Sequence, residues 1–278
     1  MPARLSRLPA RVSMPHIEKE TMPTRIRFLG LAAFEITNPL GQVILIDPCL
    51  SDNPACPIQL ADVERVDLVL VTHLAADHLG DAAAISIRFN CPVVCGPEVA
   101  VFLTQQGADP ALMRTLPWGG QSNPRGIRVR AVECHHTSFR RAPDGEYLSG
   151  QPLGFILYAE PGVRIYHSGD SAIFSDLKLI GELYKPTVGL LCACELEDSY
   201  LQSFGLQDHI GNEMNGDEGA LAALWLGLEY AIICHYLSPE GHEDVRKFFS
   251  ILENRHSDEA PLVKPLALRP GEVFELPV

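Results

Sequence analysis

The sequence lacks several features that would assign it to a familiar functional class. No stretch approaches about 18 consecutive apolar residues, which excludes a membrane-spanning helix. A P-loop, a Gly-x-Gly-x-x-Gly motif after a predicted strand and a Gly-x-Ser-x-Gly elbow are all absent. Nucleotide-dependent and serine-hydrolase functions therefore have no support.

Positive charge is also scarce. The 278 residues contain 22 Lys and Arg against 35 Asp and Glu, for a net charge of −13. Residues 1–25 hold five basic and two acidic side chains, so they carry +3 and the remainder carries −16. Because phosphate contacts need a positive surface, nucleic acid is disfavoured and a small-molecule substrate is expected.

The N-terminal segment differs from the rest of the chain. Residues 1–24 contain four prolines and no apolar periodicity, so they are predicted to form a disordered tail before one domain at 25–278. The arginine-rich start leaves a transit peptide open, but a reading frame that truly begins at Met14 or Met22 is preferred. Without the apolar core of a secretion signal, a cytoplasmic location is expected.

The eight cysteines do not form a recognisable disulfide or zinc framework. Neither the pair at 91 and 95 nor the pair at 192 and 194 has a second pair at zinc-ribbon spacing. The chain is also larger than the small secreted domains that depend on disulfides. Free thiols in a reducing cytoplasm are therefore predicted.

Strand and helix patterns alternate along the chain in a way typical of an α/β fold. Residues 26–30, 33–37 and 43–47 predict an antiparallel meander, and the almost wholly apolar run 66–72 predicts a strand buried on both faces. Further strands are predicted at 92–95, 127–134, 153–160, 163–167, 188–192, 230–234 and 272–276, and helices at 81–88, 97–106, 175–183, 218–228 and 240–254. These two mixed halves favour two sheets packed face to face with helices outside.

The strongest chemical signal follows the buried strand at 66–72. His73, Asp77 and His78 fall within six residues of one another, between that strand and a helix. A strand end is a rigid platform, and imidazole and carboxylate groups are suited to Zn, Mn or Fe. A metal site is therefore predicted here.

Three other apolar strands end in similar residues. The strand at 127–134 leads into His135 and His136, that at 163–167 into Asp170, and that at 230–234 into His235. Side chains alternate along a strand, so Cys134 should point opposite to its neighbour His135. We therefore expect the thiols to pack inward and the imidazoles of residues 135 and 235 to face the site.

At this point the chain resembles the metallo-β-lactamase superfamily, and it looks closest to small metal-dependent hydrolases related to L-ascorbate-6-phosphate lactonase. The resemblance covers about residues 25–276, and its ordered landmarks are residues 46–48, 72–81, 135, 166–170, 174–183 and 235–236. It implies an αββα four-layer sandwich of two mixed sheets, with a one- or two-metal site at the sheet edge.

The resemblance also implies a ligand set. The first metal position would use His73, His135 and Asp170, and the second would use Asp77, His78, Asp170 and His235. The family motif His-x-His-x-Asp-His has Ala75 at its second histidine, so the first position loses one ligand. One tightly bound Zn or Mn and a second, weaker one are therefore expected.

Other residues are candidates for catalysis or substrate binding. Asp77 and Asp170 are expected to transfer protons, Tyr236 to donate to an oxyanion or simply to pack, and Arg140 and Arg141 to hold an anionic group or lie solvated. The segment 195–216 is either an acidic surface loop or a lid. As a lid it would supply His209 or Glu195 as a replacement ligand.

The leading hypothesis is a metal-dependent, lactonase-like hydrolase in which metal-activated hydroxide opens a small cyclic ester or amide. One alternative is a phosphodiesterase of the same superfamily. Another is a degenerate member with a structural metal and a binding role, which Ala75 keeps open. A homo-oligomer is left open.

Overall fold

Two seven-stranded sheets dominate the computed structural model, which describes residues 22–196, 202, 213–254 and 262–277. The strands in chain order are β1 Arg25–Phe28, β2 Phe34–Thr37, β3 Val43–Ile46, β4 Leu68–Leu70, β5 Val93–Cys95, β6 Met113–Thr115, β7 Gln121–Ser122, β8 Arg128–Glu133, β9 Ser138–Arg141, β10 Tyr147–Gly150, β11 Leu153–Glu160, β12 Val163–His167, β13 Val188–Cys192, β14 Tyr230–Cys234, β15 Lys264–Ala267 and β16 Val273–Glu275. The helices are α1 Ala76–Leu79, α2 Ala82–Phe89, α3 Pro97–Gln105, α4 Leu177–Tyr184, α5 Gly216–Leu226 and α6 Glu243–Glu253.

The two sheets are both mixed. The first has the order β16-β1-β2-β3-β4-β5-β6, antiparallel from β16 to β3 and parallel from β3 to β6. The second has the order β15-β14-β13-β12-β11-β8-β7, parallel from β15 to β12 and antiparallel beyond. A separate hairpin pairs β9 with β10.

Alternating side chains place two apolar layers around the first sheet. In β4, Leu68 and Leu70 join the large core shared with the second sheet, whereas Val69 joins the smaller core that includes Ile85 of α2 and Val99 of α3. A strand buried on both faces needs apolar residues at every position, which explains its sequence. The predicted four-layer αββα architecture is confirmed.

Local sequence signals define the helix ends. Pro97 occupies the first turn of α3, where its missing N–H costs nothing. Asn215 begins α5 by accepting a hydrogen bond from the backbone N–H of Glu218, and Gly227 ends that helix in a left-handed conformation. Within the described ranges, no helix combines the length and apolar character needed for crossing a bilayer.

Five short strands have no counterpart in the sequence prediction: β6, β7, β9, β10 and β15. They have two to four residues each, and most of their side chains are exposed or half-buried. Strands this short do not show the alternation of apolar and polar side chains that identifies a strand. In β15, Pro265 also argues against a strand, except at the edge of a sheet, where β15 lies.

Candidate metal centre

Loops from both sheets meet at one edge of the sandwich. His73 follows β4 of the first sheet, whereas His136, Asp170 and His235 follow β8, β12 and β14 of the second. A hydrogen bond of 3.0 Å from Leu153 N to the carbonyl oxygen of residue 72 ties the two sheets together beside these loops. The edge therefore gathers side chains that are far apart in sequence.

Four of these side chains form a group that we call the tetrad: Asp77, His78, Asp170 and His235. Each offers one ligand atom, and all four atoms lie within 4.8 Å of one another. His78 Nε2 lies 2.8 Å from Asp170 Oδ2, and His235 Nε2 lies 3.5 Å from both Asp77 Oδ2 and Asp170 Oδ1. The arrangement suits one cation at its centre.

A second group, the triad, shares one member with the tetrad. It consists of His73, His136 and Asp170, again with ligand atoms within 4.8 Å. His73 Nε2 lies 3.8 Å from Asp170 Oδ2, and the two imidazole rings are 4.9 Å apart in an edge-to-face arrangement. Asp170 is therefore placed to bridge two neighbouring metal positions.

The atoms at the centre of these groups fit a metal ion. His73 Nε2, His235 Nε2 and Asp170 Oδ1 are buried and have no hydrogen-bond partner in the described part of the structure. Burying such atoms without a partner is costly, and cations held by the tetrad and the triad would satisfy all three. Imidazole nitrogens and carboxylate oxygens are ligands that Zn and Mn accept.

Electrostatics favour a charged carboxylate at Asp170 and a neutral imidazole at His73. Burial opposes ionisation of Asp170, but His235 and His78 outweigh it and hold the pKa of that carboxyl well below its ordinary range. Burial and the neighbouring His78 together lower the pKa of His73 to about 3. His73 is therefore neutral near pH 7, as a metal ligand must be.

A buried carboxylate orients one histidine of the tetrad. Asp47 Oδ2 lies 2.8 Å from His78 Nδ1, on the opposite side of the ring from Asp170. Asp47 also accepts hydrogen bonds from the backbone N–H and the hydroxyl of Thr72, both at 2.8 Å. Asp47 and Thr72 thus fix the orientation of the His78 ring, as metal sites require of the groups that surround their ligands.

His235 is supported in the same way by a residue that the sequence analysis did not single out. Glu213 Oε1 lies 3.3 Å from His235 Nδ1. The backbone of His235 has a positive φ of 79° and donates a hydrogen bond of 2.9 Å to the carbonyl of Leu31, whose φ is 55°. Such strained backbone positions commonly occur at functional sites.

For the strand at 127–134, the structure brings His136, and not the predicted His135, to Asp170. His135 is exposed, its Nε2 lies 2.7 Å from Glu133 Oε1, and its ring stacks on Phe174 at 4.3 Å. Strand β8 ends at Glu133, and Cys134 is buried as expected. Because alternate residues share a side, it is His136, not His135, that follows Cys134 toward Asp170.

Three other predicted site residues also lie outside the two groups. Tyr236 is fully buried, and its hydroxyl donates a 2.8 Å hydrogen bond to Leu268 O, so it packs in the core instead of facing the tetrad. Arg141 is exposed and donates to Gly145 O within the β9–β10 hairpin. Arg140 lies closer, with its guanidinium 3.4 Å from Leu74 O and over the ring of Phe102.

Of the two proposed replacement ligands, the structure describes only Glu195, which is not a member of the triad. Glu195 is exposed, and only its backbone makes hydrogen bonds, with Asp244 and His242. His209 lies outside the described residues. Ala75 leaves the triad with three protein ligand groups against four in the tetrad.

Sequence reasoning could have found His136 but not Glu213. His136 stands beside the predicted ligand, and the burial of Cys134 was the available signal. Glu213 lies in an acidic segment with several other carboxylates, and nothing in its local pattern sets it apart. Only the tertiary structure brings it to His235.

Comparison with known proteins places the chain in a family. A family profile described as a beta-lactamase superfamily domain matches residues 42–236. A UPF0173 metal-dependent hydrolase from Rubrobacter xylanophilus is 36% identical over 216 residues, covering 77% of this chain and 81% of the relative. Another, from Methanobrevibacter smithii, is 35% identical over 252 residues, covering 90% of this chain and 96% of the relative.

A solved structure agrees with this placement. Igni18, a metallo hydrolase from the hyperthermophilic archaeon Ignicoccus hospitalis, has a TM-score of 0.69 and 28% identity to this chain. The match covers 91% of this chain and 99% of Igni18. The expected superfamily and enzyme class are confirmed. The chain belongs to the UPF0173 metal-dependent hydrolase family of the metallo-β-lactamase superfamily.

Proposed function

We propose that the chain is a lactonase-like hydrolase, related to the L-ascorbate-6-phosphate lactonase branch, that opens a small cyclic ester or amide. The observation that carries the proposal is the meeting of the tetrad and the triad at Asp170, with unpartnered nitrogen and oxygen atoms buried between them. Two neighbouring cation positions of this kind are what two-metal hydrolytic centres use to hold the attacking and leaving oxygens.

The cofactor in this proposal is Zn or Mn, held by the tetrad and more weakly by the triad. A divalent metal bound there would lower the pKa of water to about 7 and would polarise the scissile carbonyl. The four ligand groups of the tetrad outnumber the three of the triad, and carboxylates support His78 and His235 from behind. We therefore propose that the tetrad fills first.

The chain's own carboxylates would move the protons. Burial opposes ionisation of Asp77, but His78 and His235 outweigh it and lower the pKa of its carboxyl to about 2. Asp77 is half-buried whereas Asp170 is buried, so Asp77 is the more accessible of the two carboxylates. Asp77 or Asp170 would accept a proton from the attacking water and deliver it to the leaving group.

Arg140 is the proposed contact for an anionic group of the substrate. It forms no ion pair with an acidic side chain in the described residues, although the protein is strongly acidic. Its position between the Phe102 ring and Leu74 O holds the guanidinium beside the loop that carries His73. An arginine held in this way is suited to a carboxylate or a phosphate.

The proposed location is the cytoplasm. All eight cysteines are free thiols, and seven of them are buried. Cys192 Sγ and Cys234 Sγ are only 3.7 Å apart on neighbouring strands without being bonded. Buried cysteines that pack as small apolar side chains are typical of proteins in a reducing compartment.

Metal analysis followed by a substrate panel tests the proposal. Purified full-length protein, loaded with Zn or Mn, would be assayed with lactones, lactams and bis-p-nitrophenyl phosphate. We expect turnover of a lactone or lactam, and Asp170→Asn should abolish it. Turnover of the phosphodiester alone would replace the proposal with phosphodiesterase activity, and fewer than about 0.2 metal ions per chain would leave only a binding role.

A further inference from the structure

A buried carboxyl lies outside both metal-binding groups. Glu98, in the first turn of α3, is only 6% exposed and forms no ion pair within the described ranges. Its Oε2 is buried and accepts no hydrogen bond from any described residue. Because a buried, unsatisfied carboxyl oxygen costs free energy, this residue should contribute something that an apolar side chain would not.

The other oxygen of Glu98 begins a chain of hydrogen bonds. Ser138 Oγ donates to Glu98 Oε1 at 2.6 Å, and the backbone N–H of Leu74 donates to Ser138 Oγ at 3.2 Å. A serine hydroxyl has one proton, and Ser138 donates it in the hydrogen bond to Glu98. A lone pair of Ser138 is therefore left to accept the Leu74 N–H.

This chain of hydrogen bonds joins the two loops that carry the imidazoles of the triad. Leu74 directly follows His73, and Ser138 lies two residues after His136. Arg140 Nη1 adds a weaker contact with Leu74 O at 3.4 Å. Ala75 has no side-chain atom that could bind a metal ion. The position of this part of the loop therefore depends on the contacts of Leu74 with Ser138 and Arg140 of β9.

Two glycines make room for the Glu98 carboxyl. A Cβ added to Gly150 would lie 2.1 Å from Glu98 Cδ, and one added to Gly96 would lie 2.5 Å from Glu98 Oε2. Neither glycine has a positive φ, so the backbone conformation alone does not demand glycine at either position. With the Glu98 carboxyl in its observed place, a Cβ fits at neither position.

We infer that Glu98 is a positioning residue that acts through Ser138 to hold the loops of His73 and His136 at the spacing needed for metal binding by the triad. The inference rests on the proposed metal-dependent function. Glu98 belongs to neither the tetrad nor the triad. Its proposed effect is on the weaker metal position alone.

Zinc titration of the metal-free, full-length protein by calorimetry tests this role. In Glu98→Ala and Ser138→Ala, we expect the weaker zinc equivalent to bind about tenfold less tightly, while the tighter equivalent is unchanged. Glu98→Gln keeps an oxygen that accepts from Ser138, so it should bind both equivalents nearly as wild type does. Gly150→Ala should resemble Glu98→Ala, because its methyl group displaces the carboxyl.

A second measurement does not depend on metal. Hydrogen exchange of the metal-free protein should show faster exchange of the Leu74 amide in Glu98→Ala than in Glu98→Gln. Unchanged zinc binding in Glu98→Ala, or equal weakening of both equivalents, would overturn the inference, because equal weakening indicates general destabilisation. Wild-type protein that binds no zinc would overturn the proposed function instead, and the Leu74 exchange rate would then decide the role of Glu98.

Discussion

Asp47 Oδ2 lies 2.8 Å from His78 Nδ1, so a fully buried carboxylate holds one histidine of the tetrad from the side opposite Asp170. Asp47 has a positive φ of 46°, a conformation unusual for any residue but glycine. Three donors surround its carboxylate: the backbone and hydroxyl of Thr72 and the ring of His78. The backbone conformation is maintained because it brings the carboxylate to all three.

Replacing Asp47 should weaken the tighter metal position. We expect Asp47→Asn to lower metal affinity by about 10- to 100-fold, because the amide fixes the orientation and basicity of His78 less well. Competition with a chromogenic chelator would measure it. Asp67→Asn is a suitable control, since Asp67 is also buried and also accepts a backbone hydrogen bond, but from Val43. Equal losses in the two variants would contradict the prediction.

Glu213 should have a comparable effect through His235. We expect Glu213→Gln to weaken the tighter metal equivalent by about tenfold or more, because the carboxylate 3.3 Å from His235 Nδ1 is lost. Glu195→Gln, in the same acidic segment but exposed, should leave metal affinity unchanged. The same chelator competition compares them, and an unaffected Glu213→Gln protein would remove this residue from the site.

The adjacent histidines 135 and 136 should behave differently when substituted. We expect His136→Ala to lose the weaker metal equivalent, because His136 belongs to the triad. His135→Ala should keep both equivalents and lose about 1 kcal/mol of stability, because its ring stacks on Phe174. Metal content by mass spectrometry and urea unfolding distinguish the two, and the opposite pattern would restore His135 as the ligand.

Restoring the missing histidine should strengthen the triad. We expect Ala75→His to raise the bound metal from about one toward about two ions per chain at limiting metal concentration, because the triad gains a fourth ligand group. Ala76→His, one residue further and exposed, is the matched control. If Ala75→His has the wild-type metal content, another group already occupies that position.

Glu98 should make stability depend on pH. Burial raises the pKa of its carboxyl above the ordinary value of 4.5. The folded protein therefore keeps a proton that the unfolded chain has released, so this stabilisation is complete below pH 4.5 and is lost as pH rises through the folded pKa. Urea unfolding of the metal-free protein across this window should show the decline, and Glu98→Gln should remove it. An identical pH profile in the variant would contradict the prediction.

Much of the fold was readable from the sequence because its strands are strongly apolar. The bounds of β11, β12, β13 and β14 are those expected from their runs of buried residues. The β9–β10 hairpin was missed, although it carries Ser138 and Arg140. Its strands have four residues each and mostly polar or exposed side chains, so no local periodicity identifies them.

The sequence predicted the superfamily, the layered architecture and most members of the tetrad and the triad, because these depend on local apolar runs and on short motifs at strand ends. That Tyr236 packs in the core and that Glu213 contacts His235 is seen only in the tertiary structure. The physical reason is the same in each case. Alternation along a strand stops where the strand ends, and beyond that point long-range contacts, not sequence spacing, orient a side chain.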